Sequence, residues 1–379
     1  MSQPGGMQRI GSPRFTALDG LRGLAALVVL VNHCFLVSPQ LAEAYREGAA
    51  TPDGGWSWWL TSTPLHLIWG GSEAVYVFFV LSGFVLALPF LKATPPTWVS
   101  YYPKRLVRLY VPVWGSLLFA LLLAAMVPRV VEDGASWWIN LHAEPTDLLR
   151  DFLVVNGTGA LNTPLWSLQW EVLFSLLLPV YMLVAIRLQK LWLLGIVGLL
   201  ALTGAGSVLD LRALIYLPMF GVGVLMAVRK DRLASWADRM GAWHWVAALL
   251  LAGALLSSHW TFPSLPGSSV LAAAGAAVVI FTFLHCKPAV RLGDWKPVHW
   301  LGSRSFSLYL IHEPIVVSVA LLTGTTNPFL ALTIALPVSL LLTEGFFRAV
   351  EKPSHRLANA VGRRVAPKPL AEKGLAERV

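Results

Sequence analysis

Residues 18–35 read LDGLRGLAALVVLVNHCF, an apolar run with one arginine and one histidine inside it. A helix turns by about 100° and rises by about 1.5 Å per residue, so His33 lies within about 20° of Arg22 and roughly 16 Å further along the axis. Polar side chains are costly in lipid and usually face a protein interior or a water-filled cavity. The stretch therefore predicts a membrane-spanning helix with a polar stripe formed by Arg22 and His33.

The composition of the 379-residue chain is that of a membrane protein. Hydrophobic residues make up 56% of it, charged residues make up 13%, and the mean hydropathy is +0.64, whereas a soluble domain carries about 25% charged residues. The basic residues, which give a formal charge of +9, recur between apolar segments, so we expect no nucleic-acid partner. Ten segments approach the ~20 residues that cross a bilayer, which predicts an all-α polytopic membrane protein with about ten transmembrane helices. The segments are 18–37, 72–90, 109–127, 165–186, 191–209, 213–228, 243–258, 268–286, 305–321 and 329–347.

The distribution of lysine and arginine predicts the orientation. With the N-terminus in the cytoplasm, most of these residues fall on the inner side, as the positive-inside rule requires, and an odd number of spans would remove this bias. We therefore expect both termini in the cytoplasm and a location in a bacterial inner (plasma) membrane. The predicted division is an N-terminal segment (1–17), a transmembrane domain (18–350) and a basic, mobile tail (351–379). The basic residues expected on the outer side of the membrane are Arg46, Arg129, Arg150 and Arg212.

Glu171 is the most informative acid in the chain. It lies two turns into the fourth segment, where a carboxylate must be protonated, paired or hydrated. The first helix runs outward and the fourth runs inward, which places His33 and Glu171 at similar depth and suits a general base with an orienting partner. The alternatives are that Arg22 extends to the inner headgroups and that His33 is a buried structural histidine. Ser167 shares a helix face with Glu171, and Glu73 is either a second acid or an interfacial residue.

Basic residues begin the third apolar segment. Arg105 and Arg108 are three positions apart on one helix face, in the same inner half as Arg22. They either anchor the protein at the inner surface or bind an anionic, phosphate-bearing ligand, for which guanidinium groups are well suited.

A proline interrupts the ninth segment beside two polar residues. Pro314 follows His312 and Glu313, and it leaves the carbonyl group of Leu310 without its helical partner. Proline is common in membrane helices, so ordinary packing is an alternative to a functional kink.

Six sequence blocks occur in a defined order along residues 15–355. Together they resemble the acyltransferase-3 family of integral membrane sugar O-acyltransferases. The chain departs from the family pattern at Tyr102-Pro103-Lys104, which replaces an Arg-rich lead into Arg105, and at Val113. The blocks are FTALDGLRGLAALVVLVNH (15–33), EAVYVFFVLSGFVL (73–86), KRLVRLYVPVW (104–114), LWSLQWEVLFSLLLP (165–179), LGSRSFSLYLIHEPI (301–315) and VEKP (350–353).

The resemblance implies an activity and a set of site residues. It implies transfer of an acyl group, most simply acetyl, from cytoplasmic acyl-CoA as co-substrate to a hydroxyl of a glycan or glycosylated small molecule, with no bound cofactor. The first-helix histidine is regarded as essential in the family, so catalysis is assigned to His33, steered by Glu171. The residues expected to bind the donor or to form a polar path are Arg22, Arg105 and Arg108. The expected supporting residues are Glu73, Ser82, Trp166, Ser167, Tyr309 and His312.

Two other functions are compatible with buried polar residues. A proton-coupled transporter or flippase of a glycan or acyl carrier would use them as a relay, although no internal repeat of the kind common in transporters is visible. A scaffold for envelope assembly would use them structurally. No metal-ligand spacing is present, so no metal is expected. The sequence leaves open the acceptor and the membrane face it occupies, the acyl chain length, the oligomeric state, and whether His33 is a general base or carries the acyl group.

Overall fold

The computed structural model describes residues 15–47, 54–129, 134–141, 145–154, 158–263, 265 and 267–366. These residues form helices and connecting turns, and no strand occurs among them. Each of the ten predicted segments corresponds to one long helix. In chain order the helices are α1 (Thr16–Phe35), α2 (Pro39–Glu47), α3 (Trp56–Thr61), α4 (Gly71–Ala87), α5 (Trp98–Met126), α6 (Pro145–Leu153), α7 (Trp166–Arg187), α8 (Trp192–Val208), α9 (Arg212–Val228), α10 (Lys230–Ala237), α11 (Ala242–Thr261), α12 (Ser268–His285), α13 (Lys287–Asp294), α14 (Lys296–Thr323), α15 (Pro328–Phe346) and α16 (Lys352–Val365).

The helices agree with the predicted number of spans. Within the described ranges, nine helices are long and apolar enough to cross a membrane, and α9 with α10 gives a tenth if this pair, bent by 72°, is one span. The all-α membrane architecture is therefore confirmed. The placement of both termini in the cytoplasm stays a prediction.

Burial separates central helices from peripheral ones. The most apolar windows of α1 and α14 are 67% and 72% buried, whereas that of α11 is only 22% buried. Since lipid tails are as apolar as leucine, membrane helices gain little by hiding apolar surface and associate through close packing at small residues. The exposed leucines of the peripheral helices are thus the lipid-facing surface, and His33 of α1 contacts His312 of α14.

Glycines lie at two close helix crossings. A Cβ atom on Gly23 of α1 would lie 2.5 Å from the backbone nitrogen of Gly302 on α14. In the second crossing, a Cβ atom on Gly223 of α9 would overlap the Val80 carbonyl of α4. These contacts allow backbones to touch, so the side chains that flank them are held at fixed positions across each interface.

The C-terminal region differs from the expected mobile tail in its first part. The chain leaves α15 through a π turn, Phe347–Glu351, and continues as α16, which packs against α5. The packing face consists of Ser354, Ala358 and Gly362, spaced four residues apart and buried. This stripe of small residues explains the docking, because a basic composition alone suggests only a solvated segment. Residues 367–379 lie outside the described residues.

Candidate active site

A polar cavity of about 450 Å³ lies among α1, α4, α5, α7, α14 and the C-terminal region. It occurs near the start of α1 and the end of α4. Three arginines and three acids line it, together with aromatic and aliphatic side chains. Seven of the residues predicted from the sequence belong to its lining. They are Arg22, Ser82, Arg105, Arg108, Ser167, Glu171 and Tyr309.

The three cavity arginines differ in their partners. Arg105 donates to the Glu171 carboxylate over 2.5 Å and to the Ser175 hydroxyl over 3.1 Å. A guanidinium nitrogen of Arg22 lies 3.7 Å from a carboxylate oxygen of Asp19. Arg108 lines the same cavity without a hydrogen bond or ion pair to any described residue. Since its donors are free of hydrogen bonds to the described residues, Arg108 is the guanidinium group best placed to receive an anion.

The structure does not bring Glu171 to His33. The Glu171 carboxylate contacts Arg105, whereas the polar neighbours of the His33 ring are the Val29 carbonyl and His312. The expected contact between His33 and Glu171 is therefore not formed. Two residues at the same depth in the membrane need not face each other, because depth does not fix the rotation of a helix about its axis. The rotation of α7 places Glu171 against α5 and in the cavity lining.

His33 and His312 form a buried pair of rings. Their centroids are 4.8 Å apart with an interplanar angle of 71°, and Nδ1 of His33 lies 3.1 Å from Nε2 of His312. The His312 side chain is fully buried and His33 is 9% exposed. Trp138, from the segment 134–141, lies against His33 with ring centroids 5.3 Å apart. The catalytic histidine predicted from the sequence thus has a second histidine, which was predicted only as supporting, as its nearest polar side chain.

Tyr309 connects the cavity to the histidine pair. It lines the cavity, and its ring lies 5.8 Å from that of Phe78 and 5.9 Å from that of His312. Its hydroxyl group donates to the Pro164 carbonyl over 2.9 Å and shares a 2.7 Å hydrogen bond with Ser167. Because Tyr309 and His312 are three residues apart on α14, they present the same helix face. The cavity wall formed by Phe78 and Tyr309 is therefore the wall next to the histidines.

The turn that precedes α7 supplies partners for the part of α14 around Pro314. Asn162 donates to the Leu310 carbonyl over 2.9 Å, which is the carbonyl that Pro314 leaves without a helical donor. Thr163 donates to the Glu313 carboxylate through its backbone nitrogen over 2.5 Å and through its hydroxyl over 3.0 Å. The first bond satisfies the free carbonyl of Leu310, and the other two hold Glu313, the residue next to His312.

Two predicted supporting residues lie away from the cavity. Glu73 accepts a 3.0 Å hydrogen bond from the Trp260 indole and lies 3.6 Å from His66, which stacks on Trp260. It ties the start of α4 to α11. Trp166 packs with its ring centroid 5.2 Å from that of Tyr216. Both residues thus stabilise helix packing.

Two cavity-lining residues from the C-terminal region were not predicted from the sequence. Glu351 and His355 line the cavity, and Glu351 accepts hydrogen bonds from the backbone nitrogen and hydroxyl of Ser307. His355 Nε2 lies 3.5 Å from the same carboxylate. The VEKP block held the signal, because it contains the one acid that the π turn directs at α14. In the described part of the chain, no group of three or more His, Cys, Asp or Glu could hold a metal ion.

Comparison with known proteins identifies the family of the chain. A family profile described as an acyltransferase domain matches residues 15–344, which include every helix that builds the cavity except α16. This chain belongs to the acyltransferase-3 family. No solved structure gives a significant match to it.

Curated relatives cover most of the chain at low identity. Acyltransferase MdmB of Streptomyces mycarofaciens is 26% identical, over 80% of this chain and 79% of its own length. Peptidoglycan O-acetyltransferase OatA of Listeria monocytogenes is 23% identical, over 89% of this chain and 55% of its own. YrhL of Bacillus subtilis is 24% identical, over 89% of this chain and 54% of its own. The chain therefore spans about half the length of YrhL and OatA.

Proposed function

We propose that this protein is a membrane O-acyltransferase that moves an acyl group from acyl-CoA to a hydroxyl group of a sugar or glycoside. One observation carries the proposal: a cavity with three arginines ends at Tyr309, beside the buried His33–His312 pair. The family membership and the name of OatA, a peptidoglycan O-acetyltransferase, support the same reaction class.

The cavity has the size to take a phosphate-bearing donor and an arginine available to bind it. Its volume of about 450 Å³ lies within the range of roughly 300–1,000 Å³ common for small-molecule sites. Arginine binds phosphate through paired, charge-assisted hydrogen bonds, and Arg108 has that capacity unused among the described residues. With the N-terminus in the cytoplasm, the cavity lies in the cytoplasmic half of a bacterial plasma membrane. It is therefore on the side of the compartment in which acyl-CoA is made. Acetyl-CoA is the simplest donor.

The proposed chemistry begins at His33. The hydroxyl oxygen of the acceptor attacks the thioester carbonyl carbon, and His33 Nε2 takes the hydroxyl proton. The carbon–sulfur bond then breaks, and the sulfur receives that proton, so the products are the ester and free CoA. General-base catalysis of this kind contributes about 10²–10⁴ in rate. The alternative route through an acyl-His33 intermediate starts from the same ring nitrogen.

The proposal is tested with membranes that contain the protein, labelled acetyl-CoA and a panel of glycan acceptors. We expect label transfer to at least one acceptor with the wild type and none with His33→Ala. His299→Ala is the matched control, because His299 lies on α14 but neither lines the cavity nor contacts His33. Transfer by His33→Ala at the wild-type rate contradicts the assignment. Movement of an acceptor across the membrane without acylation would favour a transporter.

A further inference from the structure

The hydrogen bonds around His312 fix where its proton lies. Nδ1 of His312 is 3.0 Å from the Leu308 carbonyl oxygen and 2.9 Å from the Tyr309 carbonyl oxygen. A carbonyl oxygen can only accept a hydrogen bond, so Nδ1 must carry the proton. In a neutral imidazole the other nitrogen is then a bare acceptor. Nε2 of His312 therefore presents a lone pair to its neighbour.

That lone pair points at His33. Nδ1 of His33 lies 3.1 Å from Nε2 of His312 and 2.9 Å from the Val29 carbonyl oxygen. Both neighbours are acceptors, so the proton of a neutral His33 must lie on Nδ1, where it can be shared between them. The remaining nitrogen of His33, Nε2, is left as the bare base. Two independent acceptors thus select the same tautomer.

We infer that His312 is a positioning residue for the proposed acyl transfer. It holds His33 in the Nδ1–H tautomer and directs its bare Nε2 toward the reacting groups, the role that a carboxylate has in many catalytic triads. This inference rests on the proposed function. When His33 Nε2 takes the hydroxyl proton, its Nδ1–H still donates to His312 and Val29, so the cation is stabilised as it forms.

A neutral partner suits the location of the pair. A carboxylate beside His33 would have to be kept ionised in a buried part of the membrane domain, at a large desolvation cost. His312 provides an acceptor without a charge, and the bonds of Asn162 and Thr163 to the adjoining part of α14 hold it in place. The sequence predicted an orienting partner for His33, and the structure assigns it to α14 instead of α7.

The experiment compares three variants in lipid bilayers. His312→Leu removes the acceptor, His312→Gln offers an amide oxygen near the position of Nε2, and His299→Leu is the matched control on the same helix. We expect His312→Leu to lower kcat by about 100-fold or more, as for loss of general-base catalysis, and to leave the KM for acetyl-CoA unchanged because His312 does not line the cavity. We expect His312→Gln to stay within about tenfold of the wild-type kcat and His299→Leu to match the wild type.

Nitrogen NMR of histidine-labelled protein provides the structural readout. The His33 signals, assigned by their loss in His33→Gln, should show a protonated Nδ1 and a bare Nε2 in the wild type, and a mixture of tautomers in His312→Leu. A wild-type His33 protonated at Nε2 overturns the inference, even if His312→Leu fails to fold. So does a folded His312→Leu with wild-type kcat while His33→Ala is inactive, which leaves the proposed function intact. Activity of His33→Ala refutes the catalytic role of His33, and absence of label transfer by the wild type refutes the proposed function itself.

Discussion

Replacement of Arg108 by alanine should weaken acyl-CoA binding without weakening the fold. Arg108 has no hydrogen bond or ion pair with any described residue, so its removal breaks neither among them. A hydrogen bond to a charged group contributes about 1.5–3 kcal/mol, and each 1.4 kcal/mol corresponds to about a tenfold change in affinity. We therefore expect the Kd of acetyl-CoA to rise by roughly 10- to 150-fold, with an unchanged unfolding temperature.

The assay is isothermal titration of acetyl-CoA into protein in lipid nanodiscs, with thermal unfolding measured on the same samples. Arg108→Lys should fall between alanine and the wild type, because lysine keeps the charge but loses the paired donors. Lys104→Ala is the matched control, since Lys104 is exposed one turn earlier on α5 and does not line the cavity. An Arg108→Ala variant that binds acetyl-CoA within twofold of the wild type refutes the donor site.

Three further substitutions test helix packing, the hydrogen bond to α14 and the pH dependence of stability. Gly302→Ala should lower stability by about 1–3 kcal/mol in denaturant unfolding, because its Cβ would overlap a backbone carbonyl of α1, whereas Gly345→Ala, which has open space, should not. Asn162→Leu leaves the Leu310 carbonyl unpaired and should cost about 1–3 kcal/mol of stability together with a lower kcat. An unchanged kcat would mean that this hydrogen bond does not position the site. Burial raises the pKa of Asp151, in α6, from 3.8 to about 6. Its folded form thus prefers the proton, so stability should fall as the pH rises from about 4 to 6. Asp151→Asn should flatten the curve of unfolding temperature against pH between about pH 4 and 6. An unchanged slope would exclude Asp151 as the source of this pH dependence.

The sequence was sufficient for the helices and for much of the cavity. Apolar length and the bias of basic residues predict each long helix, since both follow directly from the cost of placing polar groups in lipid. Arg22, Arg105 and Arg108 were recognised because arginines at helix ends in one half of the membrane must share a small volume. The carbonyl freed by Pro314 was also predicted, and Asn162 is the donor that satisfies it.

The rotation of each helix about its axis and the contacts between residues far apart in sequence could not be predicted. Depth in the membrane follows from position along a segment, but the direction of a side chain depends on which helices are neighbours, so Glu171 was paired with the wrong residue. The contact of Glu73 could not be predicted either, because its partner Trp260 is far away in sequence. Glu351 was missed because the basic residues that follow it suggested a solvated tail, although a stripe of small residues docks that region on α5.

The position of α14 and α16 in the chain has a consequence for biosynthesis. Synthesis proceeds from the N-terminus, so α1 enters the membrane with Arg22 and His33 before α14 exists. Until then these side chains lack the neighbour that buries them, and polar groups in lipid are costly. The cavity is complete only when the π turn brings Glu351 to Ser307, close to the end of the described chain. Until α14 and the π turn have been made, Arg22 and His33 of α1 must therefore be stabilised by water, lipid headgroups or an insertion factor.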